Sequence, residues 1–449
     1  MRKMRIYKVI LSTGAVVVAA GSAAELVKAA TPAHQLVTGP VAEYWVSTTT
    51  STGMTASGLT GGGRPSLSTM MNMMKGGVTH SMRLQLGSSL SASGEPSADH
   101  LPPVALDAGN DLPLYYKAAI QKAEPAQSPS TAPQQSEPPK GKILIFWGCG
   151  EHAPKDQPVV IDLSTMTDPA ARMAMVAKMM PAQPIVLDVV HPPAPDRWKT
   201  YGEWPNQKSR TALDGNSSLL GAQLVKGNYS PDIAFTLAQN QDFMTPIQVV
   251  NNVRDGAGAV PLQWQTIPGA KGIILGAMGG GKDADGNSLV VLWTSAQSQM
   301  GWTGLGADYL TPHDEERLVA TKTLLAGEAT SCTVPSEVVS ATGSQGGLLY
   351  TMTAYGGEAN FAYPPRPDDP KTPWNIQWET KVRYKTTTGG MLGRNMPGGG
   401  GYSAADANGT SSSGDASSTS VSDTNKKKGS LFGSMIKQGL TSMIPGGGG

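Results

Sequence analysis

The sequence predicts a mainly β protein made of two β-sandwich-like domains, with short helices and Gly/Ser-rich segments. Short apolar runs recur between turn residues, and residues 262–266 alternate apolar and polar side chains with the period of two that is typical of a half-buried strand. The 54 Gly and 34 Pro residues supply the turns that many short strands require. Within the predicted domains, helical periodicity appears in two short segments, 168–180 and 311–325, so an all-helical fold is not expected.

Residues 1–29 have the form of a secretory signal peptide. Basic residues within positions 2–8 precede an apolar run at 9–20, and small residues follow at a suitable cleavage position. An uncleaved N-terminal anchor is the alternative. No later apolar run has the length of a membrane-spanning helix. The mature chain is therefore expected to lack an integral span and to be periplasmic, on the cell surface or secreted.

The net charge argues against one class of partner. The chain has 35 basic and 34 acidic residues, a formal net charge of +1. A nucleic-acid-binding protein needs a basic surface to neutralise phosphates. No nucleic-acid partner is therefore predicted, and no cofactor motif appears in a credible context.

An N-terminal β-rich domain is predicted over residues 39–226. Segments 51–77 and 123–139 within it are rich in small, polar or Pro residues without periodicity, and we expect them to be disordered. Segment 168–180 is the predicted helix, with Asp168 as its N-cap. The predicted strands include 39–50, 78–90, 142–147, 158–163 and 184–190.

A second β domain is predicted over residues 228–386. Turns at 267–270 and 283–287 separate its strands 262–266, 273–278 and 289–293, and segments 348–355 and 374–386 are the last two strands. A helical insertion, 296–346, interrupts them. Its helix, 311–325, begins at a capping Thr311 followed by Pro and acidic residues.

The pattern around Trp264 resembles the B–C strand pair of fibronectin type III-like sandwiches, with Trp264 in the core position. This resemblance implies a sandwich that presents binding surfaces or spaces other domains. Such a fold does not by itself name a function.

Beyond residue 386 the sequence predicts a loss of order. Residues 387–425 are expected to be a disordered linker, and 426–449 form a basic and amphipathic tail. Contact with a membrane surface, docking on a partner and plain disorder are the three alternatives for the tail.

The two cysteines, Cys149 and Cys332, are expected to form a disulfide, because an exported chain meets an oxidising compartment. The alternative is a thiol enzyme or hydrolase of the cell envelope. It would use Cys149 as nucleophile and His152 as base, with Glu151 orienting the His. The two readings exclude each other, since a bridged sulfur is no nucleophile.

A further alternative is periplasmic copper handling, because thioether sulfurs are soft ligands that suit Cu(I). A flexible, sticky loop without metal is the competing interpretation and the preferred one. The candidate ligands are Met70, Met71, Met73, Met74 and Met82, with His80 nearby.

Aromatic side chains in Pro/Gly-rich stretches are candidates for contact with a glycan or an envelope protein. The alternative is that they fasten long loops to the domain surface. The candidates are Trp198, Tyr201 and Trp204 in one stretch, and Tyr363 and Trp374 in another.

Taken whole, the chain resembles uncharacterised exported proteins of alphaproteobacteria, of the sphingomonad kind. The residues that carry the resemblance are 141–151 (GKILIFWGCGE), 228–232 (NYSPD), the Trp264 segment and 358–367 (EANFAYPPRP). The resemblance implies export and a β architecture but no activity. The function predicted from the sequence is a non-enzymatic binding or structural role in the bacterial cell envelope.

Overall fold

The structure is a computed structural model, and it describes most of the chain between residues 35 and 394. The described ranges are 35–53, 77–118, 141–165, 185–206, 213–283, 285–300, 308–343 and 346–394, with a few single residues between them. The predicted signal peptide, the loop 123–139 and the tail 426–449 lie outside them. So do most of segments 51–77 and 387–425.

Strands dominate the described ranges. They are β1 (Val37–Thr38), β2 (Ala42–Ser51), β3 (Thr79–Ser88), β4 (Ala98–Leu101), β5 (Leu112–Pro113), β6 (Tyr115–Tyr116), β7 (Gly141–Trp147), β8 (Val159–Asp162), β9 (Thr200–Trp204), β10 (Leu213–Asp214), β11 (Gly221–Gly227), β12 (Ile233–Leu237), β13 (Val249–Asn251), β14 (Val260–Trp264), β15 (Gly272–Lys282), β16 (Ser288–Thr294), β17 (Leu325–Ala326), β18 (Ser331–Val334), β19 (Gly347–Tyr363), β20 (Trp374–Asn375) and β21 (Trp378–Met391). The α-helices whose bounds the structure describes are α1 (Pro312–Ala320) and α2 (Ser336–Ser340), and the described residues of the predicted helix 168–180 are also helical. The prediction of a mainly β protein is therefore confirmed.

A 12-stranded sheet holds most of these strands together. Its main path runs β6-β9-β3-β2-β21-β19-β15-β16-β7-β8, while β10 pairs with β3 and β17 with β15. The β2–β21 and β16–β7 pairs are parallel, and the other neighbours are antiparallel. Strands from after residue 227 thus form the centre of this sheet, and strands from before it lie on both sides. The predicted arrangement of two separate sandwiches is not confirmed.

Three smaller sheets accompany it in the described ranges. One has the order β12-β11-β4-β5, a second has the order β13-β14-β18, and the third pairs β1 with β20 in parallel. Trp264 ends β14, in the three-stranded sheet, whereas β15 belongs to the large sheet. The two strands that resemble a fibronectin type III B–C pair therefore do not pair with each other.

Side chains from the three largest sheets meet in one hydrophobic cluster. Strand alternation directs Tyr44 and Leu84 of the large sheet, Phe235 of the four-stranded sheet, and Leu262 and Trp264 of the three-stranded sheet into it. Each of these side chains is buried. The core therefore lies on one face of β2, β3 and β21, which leaves their other face for a different use.

Local sequence signals correctly located several elements. The predicted strands at 142–147 and 158–163 correspond to β7 and β8, and the turn at 267–270 closes with a hydrogen bond from Ala270 N to Ile267 O of 3.1 Å. The turn at 283–287 joins β15 to β16, with Gly286 at a φ of 78° that favours glycine.

Two boundaries differ from the predictions. Strand β21 continues to Met391 because residues 387–391 pair with β19, so order does not end at residue 387. Residues 185–190, predicted as a strand, have no ladder partner. Side-chain contacts with α1 hold this segment instead, as described below.

Helix α1 starts at the predicted position. The Thr311 hydroxyl accepts a hydrogen bond from Asp314 N at 3.0 Å, and Pro312 occupies the first turn. The helix ends at Ala320, before the predicted residue 325, because Lys322 adopts a left-handed φ of 55°.

The Glu315 carboxyl of α1 caps an irregularity in β19. It accepts a hydrogen bond from Gly357 N at 3.0 Å, where the β19–β21 register shifts. Burial raises the pKa of Glu315 to about 7. An acid whose folded pKa is raised contributes stability that is present below its unfolded pKa and is lost as pH rises through the folded value. The relevant window is therefore about pH 4.5 to 7.

We expect Glu315→Gln to stabilise the fold at pH 8 relative to the unmodified protein by about 2 kcal/mol, and to have little effect at pH 4.5. The amide cannot ionise and still accepts from Gly357. Urea unfolding at several pH values measures the difference. Glu316→Gln, at the exposed neighbouring carboxyl, is the matched control and should show no such trend. An equal effect of the Glu315 variant at both pH values would contradict the assignment.

Candidate functional site

The face of β2, β3 and β21 that points away from the core carries polar and aromatic side chains. Trp45, Ser47 and Thr49 alternate along β2 with its core residues. The register places Ser47 opposite Arg83 of β3 and opposite Arg383 of β21. Three strands thus bring two arginines and several hydroxyls to the same level of the sheet.

A groove of about 680 Å³ lies over this face. That volume is within the usual range for small-ligand sites, about 300–1,000 Å³. The sheet forms its floor, and two irregular segments, around Asp188 and around Tyr309, form its walls. The lining side chains include Ser47, Thr49, Ser81, Arg83, Gln85, Leu187, Asp188, Val190, Glu203, Asp308, Tyr309 and Arg383.

Arg383 is fixed between two aromatic rings. Its guanidinium carbon lies 4.5 Å from the centre of the Trp45 ring and 4.4 Å from that of Tyr309. Nε and Nη2 both donate to Ser47 Oγ, at 3.2 and 2.7 Å. Burial lowers the pKa of Arg383, but a guanidinium stays protonated at neutral pH. The groove therefore contains a rigid, permanent positive charge.

Tyr309 is anchored to the sheet that it covers. Its hydroxyl donates to Thr48 O at 3.0 Å and lies 2.9 Å from Thr49 Oγ1. Burial raises the pKa of Tyr309 well above its usual value, so the hydroxyl stays neutral. Next to it, Asp308 forms an ion pair with Lys385. This wall is held by both a hydrogen-bonded ring and an ion pair.

The opposite wall is held by the start of α1. Asp188 accepts hydrogen bonds through Oδ2 from Thr311 Oγ1 at 2.7 Å and from His313 at 3.0 Å. Asp188 N donates to buried Asp314 at 2.9 Å. The hydrogen bonds from Thr311 and His313 lower the pKa of Asp188. Asp188 is therefore an ionised, exposed carboxylate at the edge of the groove.

The carboxylates of Asp188 and Asp314 and the His313 ring lie close enough to be considered as metal ligands. The protein already occupies most of their lone pairs. Asp314 accepts from Asp188 N through one oxygen and from Arg317 through the other, at 2.6 Å. This group is better explained as the hydrogen-bond network that fastens residues 185–190 to α1.

Most charges around the groove neutralise one another. Glu203 contacts Arg83 at 3.4 Å and also pairs with Lys117. Burial acts to raise the pKa of Glu203, but its contacts with Lys117 and Tyr201 outweigh burial and hold the pKa below its usual value. Within the described ranges, Arg383 makes no ion pair with a carboxylate. Of the two arginines that line the groove, Arg383 is the one without a carboxylate partner among the described residues.

The two cysteines are bonded to each other. Cys149 follows β7, and Cys332 lies in β18 with only 3% of its surface exposed. The predicted disulfide agrees with the structure, and a disulfide is compatible with export. Because the sulfur of Cys149 is bonded, it is not a thiolate nucleophile. The thiol-enzyme interpretation loses the group on which it depends.

His152 contacts residues at the start of α2. Its Nδ1 lies 3.0 Å from Glu337 Oε1 and 3.3 Å from Ser336 Oγ. A serine-type relay needs the two imidazole nitrogens to contact different partners, whereas here one nitrogen meets both. The Glu151 backbone carbonyl accepts from Ser336 N at 3.0 Å, and among the described residues the carboxylate that contacts His152 is that of Glu337.

The first aromatic group is structural. Tyr201 and Trp204 are each 2% exposed, and the Trp198 ring packs directly over the backbone of Gly87. Tyr201 donates to Glu203 at 2.8 Å. Tyr201 and Trp204 were predicted to bind a partner, but in this structure both rings are buried and contribute to packing. Trp198 serves to fasten its loop to β3.

The second aromatic group lies elsewhere on the protein. Tyr363 is 49% exposed and stacks on Trp378 at 5.9 Å between ring centres. Trp374 is half-buried, donates to Pro364 O at 2.9 Å and lies under Arg366. Tyr363 remains available for contact with a partner, while Trp374 mainly closes the loop between β19 and β20.

The proposed copper ligands are not brought together in the described residues. Met70, Met71, Met73 and Met74 lie outside them. His80 stacks on Phe243 at 4.0 Å, and its Nδ1 lies 3.1 Å from Ser217 O. Met82, the other methionine considered, is only 5% exposed. His80 is thus accounted for by packing and a backbone contact.

The residues of the groove were not singled out by sequence reasoning. One available signal was the alternation of Lys381, Arg383 and Lys385, which places three cations on one face of a strand. Nothing local indicates that Trp45 and Tyr309, so distant in the chain, meet at Arg383. The pairing of β2 with β21 decides that contact.

Comparisons with known proteins leave the site to be interpreted from its geometry. No protein-family model matches the chain, and a search of curated proteins found no match. In the part of the chain that the structure describes, no helix is long and apolar enough to cross a membrane.

Proposed function

We propose that this protein is an exported, non-enzymatic binding protein of the bacterial cell envelope, and that the groove over β2, β3 and β21 holds its ligand. The observation that carries the proposal is the preformed groove with Arg383 fixed between Trp45 and Tyr309. Sites of this size with a few placed polar groups are typical of small-ligand binding.

The chemistry around the groove supports binding over catalysis. Glu203, Asp308 and Asp314 are engaged with cations, Asp188 accepts from the Thr311 hydroxyl and from His313, and Tyr309 is held neutral. A hydrolase of the general acid–base kind needs a positioned group whose pKa is matched to proton transfer. Cys149, the nucleophile that a thiol enzyme would require, is bonded to Cys332.

Export is supported by two independent features. The disulfide suits an oxidising compartment, and residues 1–29 have the form of a signal peptide. The resemblance to exported alphaproteobacterial proteins agrees with both. An envelope glycan or an envelope protein is the kind of partner that this location offers.

We expect Ser81→Trp to abolish binding of the natural ligand, because an indole on this exposed floor position fills part of the groove without entering the core. The measurement is native mass spectrometry of the protein after incubation with the low-mass and glycan fractions of envelope extracts. We expect a bound species with the unmodified protein and at least a tenfold loss with the variant.

The matched control is Thr236→Trp, at an exposed strand position on β12 outside the groove. It should bind as the unmodified protein does. Equal retention by both tryptophan variants would place the ligand elsewhere. Conversion of the ligand into a product during incubation would contradict the non-enzymatic role.

A further inference from the structure

Arg383 has hydrogen-bonding capacity that the protein does not use. A guanidinium has five N–H donors. Two of them are directed at Ser47 Oγ, and the other three have no partner among the described residues. Because Nε and Nη2 share Ser47, the free donors are those of Nη1 and the second hydrogen of Nη2. This free edge has the fork geometry that can donate two parallel hydrogen bonds to the two oxygens of a carboxylate.

The neighbouring groups restrict what Arg383 accepts. Trp45 and Tyr309 both pack against the guanidinium, and Ser47 occupies its Nε side, so the Nη1–Nη2 edge is the part left for a ligand. An in-plane approach suits a planar anion that forms two parallel hydrogen bonds. Because the stack and Ser47 already fix the guanidinium, little side-chain entropy is lost on binding.

The surrounding charges favour a single negative charge on the ligand. Four carboxylates line the groove, those of Asp188, Glu203, Asp308 and Asp314, while Arg383 is the cation without an ion-pair partner among the described residues. A dianion such as a phosphate monoester would have one of its charges uncompensated beside these carboxylates. A monoanionic carboxylate is matched by Arg383 alone.

The walls also offer acceptors for ligand donors. Asp188 accepts from Thr311 and His313 through Oδ2. Its Oδ1 has no hydrogen-bond donor among the described residues and can accept from a ligand. Ser81 adds an exposed hydroxyl on the floor. A ligand with hydroxyl or amino groups beyond its carboxylate would therefore be held at both ends.

We propose that the groove binds the carboxylate of a singly charged, hydrogen-bond-donating acid, such as a sugar acid or an amino acid, through the free edge of Arg383. This inference rests on the proposed function and specifies its ligand chemistry. A sugar acid and an amino acid both carry this carboxylate. They differ in the group that would donate a hydrogen bond to Asp188, a hydroxyl or an amino group.

The test uses a matched set of sugars that differ only at the sixth carbon: galacturonate, galactose and galactose 6-phosphate, with glutamate as the amino-acid probe. Titration calorimetry or ligand-observed NMR on the full chain measures each affinity. We expect galacturonate or glutamate to bind at least tenfold more tightly than galactose and galactose 6-phosphate. This comparison needs no variant, so it does not depend on how a mutation affects folding.

The role of Arg383 is tested with Arg383→Gln, which should weaken binding of the preferred acid at least tenfold. Lys226→Gln also removes one positive charge, at an exposed ion pair outside the groove, and should leave affinity unchanged. Equal loss in the two variants would indicate a general charge effect and overturn the assignment to Arg383. Tighter binding of galactose or of the phosphate, or failure of both acids to bind, would overturn the carboxylate.

These outcomes separate the inference from the function on which it rests. If neutral galactose binds best and Ser81→Trp abolishes that binding, the groove is the site and the carboxylate is wrong. If galacturonate binds equally well to Ser81→Trp, the groove itself is not the site. In that case the proposed function fails first.

Discussion

Removing the disulfide with Cys149→Ala and Cys332→Ala together is expected to lower the free energy of unfolding by about 4 to 5 kcal/mol. The bond joins residues 183 positions apart, and a loop of that length loses much conformational entropy when it is closed in the unfolded chain. Cross-linking also ties the end of β7, in the large sheet, to β18 in the three-stranded sheet.

Neighbouring hydrogen bonds limit how much of the junction is lost. Gly150 N donates to Thr333 O at 2.9 Å, and Trp293 Nε1 donates to Gly148 O at 2.9 Å. We therefore expect the double variant to fold but to unfold at a lower temperature and denaturant concentration. Equilibrium unfolding followed by tryptophan fluorescence is the measurement.

Reduction of the unmodified protein provides the control. Its unfolding midpoint under reductant should fall to that of the double variant, while reductant should not change the double variant itself. Unchanged midpoints in both experiments would mean that the bridge adds no stability. A free thiol that titrates in the unreduced protein would show that the bridge is not formed.

The second large effect is expected at Trp264. Its replacement by Ala should lower the free energy of unfolding by about 3–5 kcal/mol. The indole is 2% exposed within the shared core, and its Nε1 donates to Ala329 O at 2.7 Å. Alanine would leave a cavity and would remove the hydrogen bond to the partly buried Ala329 carbonyl, and both destabilise. Chemical denaturation of the variant measures the loss.

Two further variants provide comparisons for the Trp264→Ala effect. Trp264→Phe keeps most of the buried ring but removes the N–H, so an intermediate loss of about 1–2 kcal/mol is expected. Tyr363→Ala removes a ring that is 49% exposed, and its effect should remain below about 1 kcal/mol. A Trp264→Ala variant no less stable than Tyr363→Ala would contradict the core position of Trp264.

Local elements were predictable where the controlling interactions are close in sequence. The cap of α1 at Thr311 involves a residue three positions away, and the turn at 283–287 depends on its own Asp, Gly and Asn residues. The buried strand at 142–147 has a continuous apolar run. These patterns act within a few residues, which is why they are visible without tertiary structure.

Local sequence patterns could not show whether the chain forms two separate domains. Strand β2 pairs in parallel with β21, more than three hundred residues later, and β7 pairs in parallel with β16. Alternation shows that a segment is a strand but does not show which strand lies beside it. The sequence pattern around Trp264 is therefore compatible with both a hairpin of one sandwich and the observed split between two sheets.

The candidate site shows the same limit. Aromatic residues such as Tyr201 and Trp204 stood in loop-like sequence and suggested exposure, yet strand pairing and overlying segments bury them. Arg383 was not singled out from the sequence, and packing placed it against Trp45 and Tyr309. Burial and stacking depend on neighbours that local patterns do not identify.

By itself, the sequence determined the β class, several strand and turn positions, the start of α1 and the pairing of the two cysteines. These follow from side-chain periodicity, backbone preferences and the presence of a single possible cysteine pair. Only the tertiary structure decided the order of strands in the large sheet, the sharing of one core by three sheets, and the groove around Arg383. Each of these arises from contacts between residues far apart in the chain, where the sum of packing and hydrogen bonding over the whole fold selects the partner.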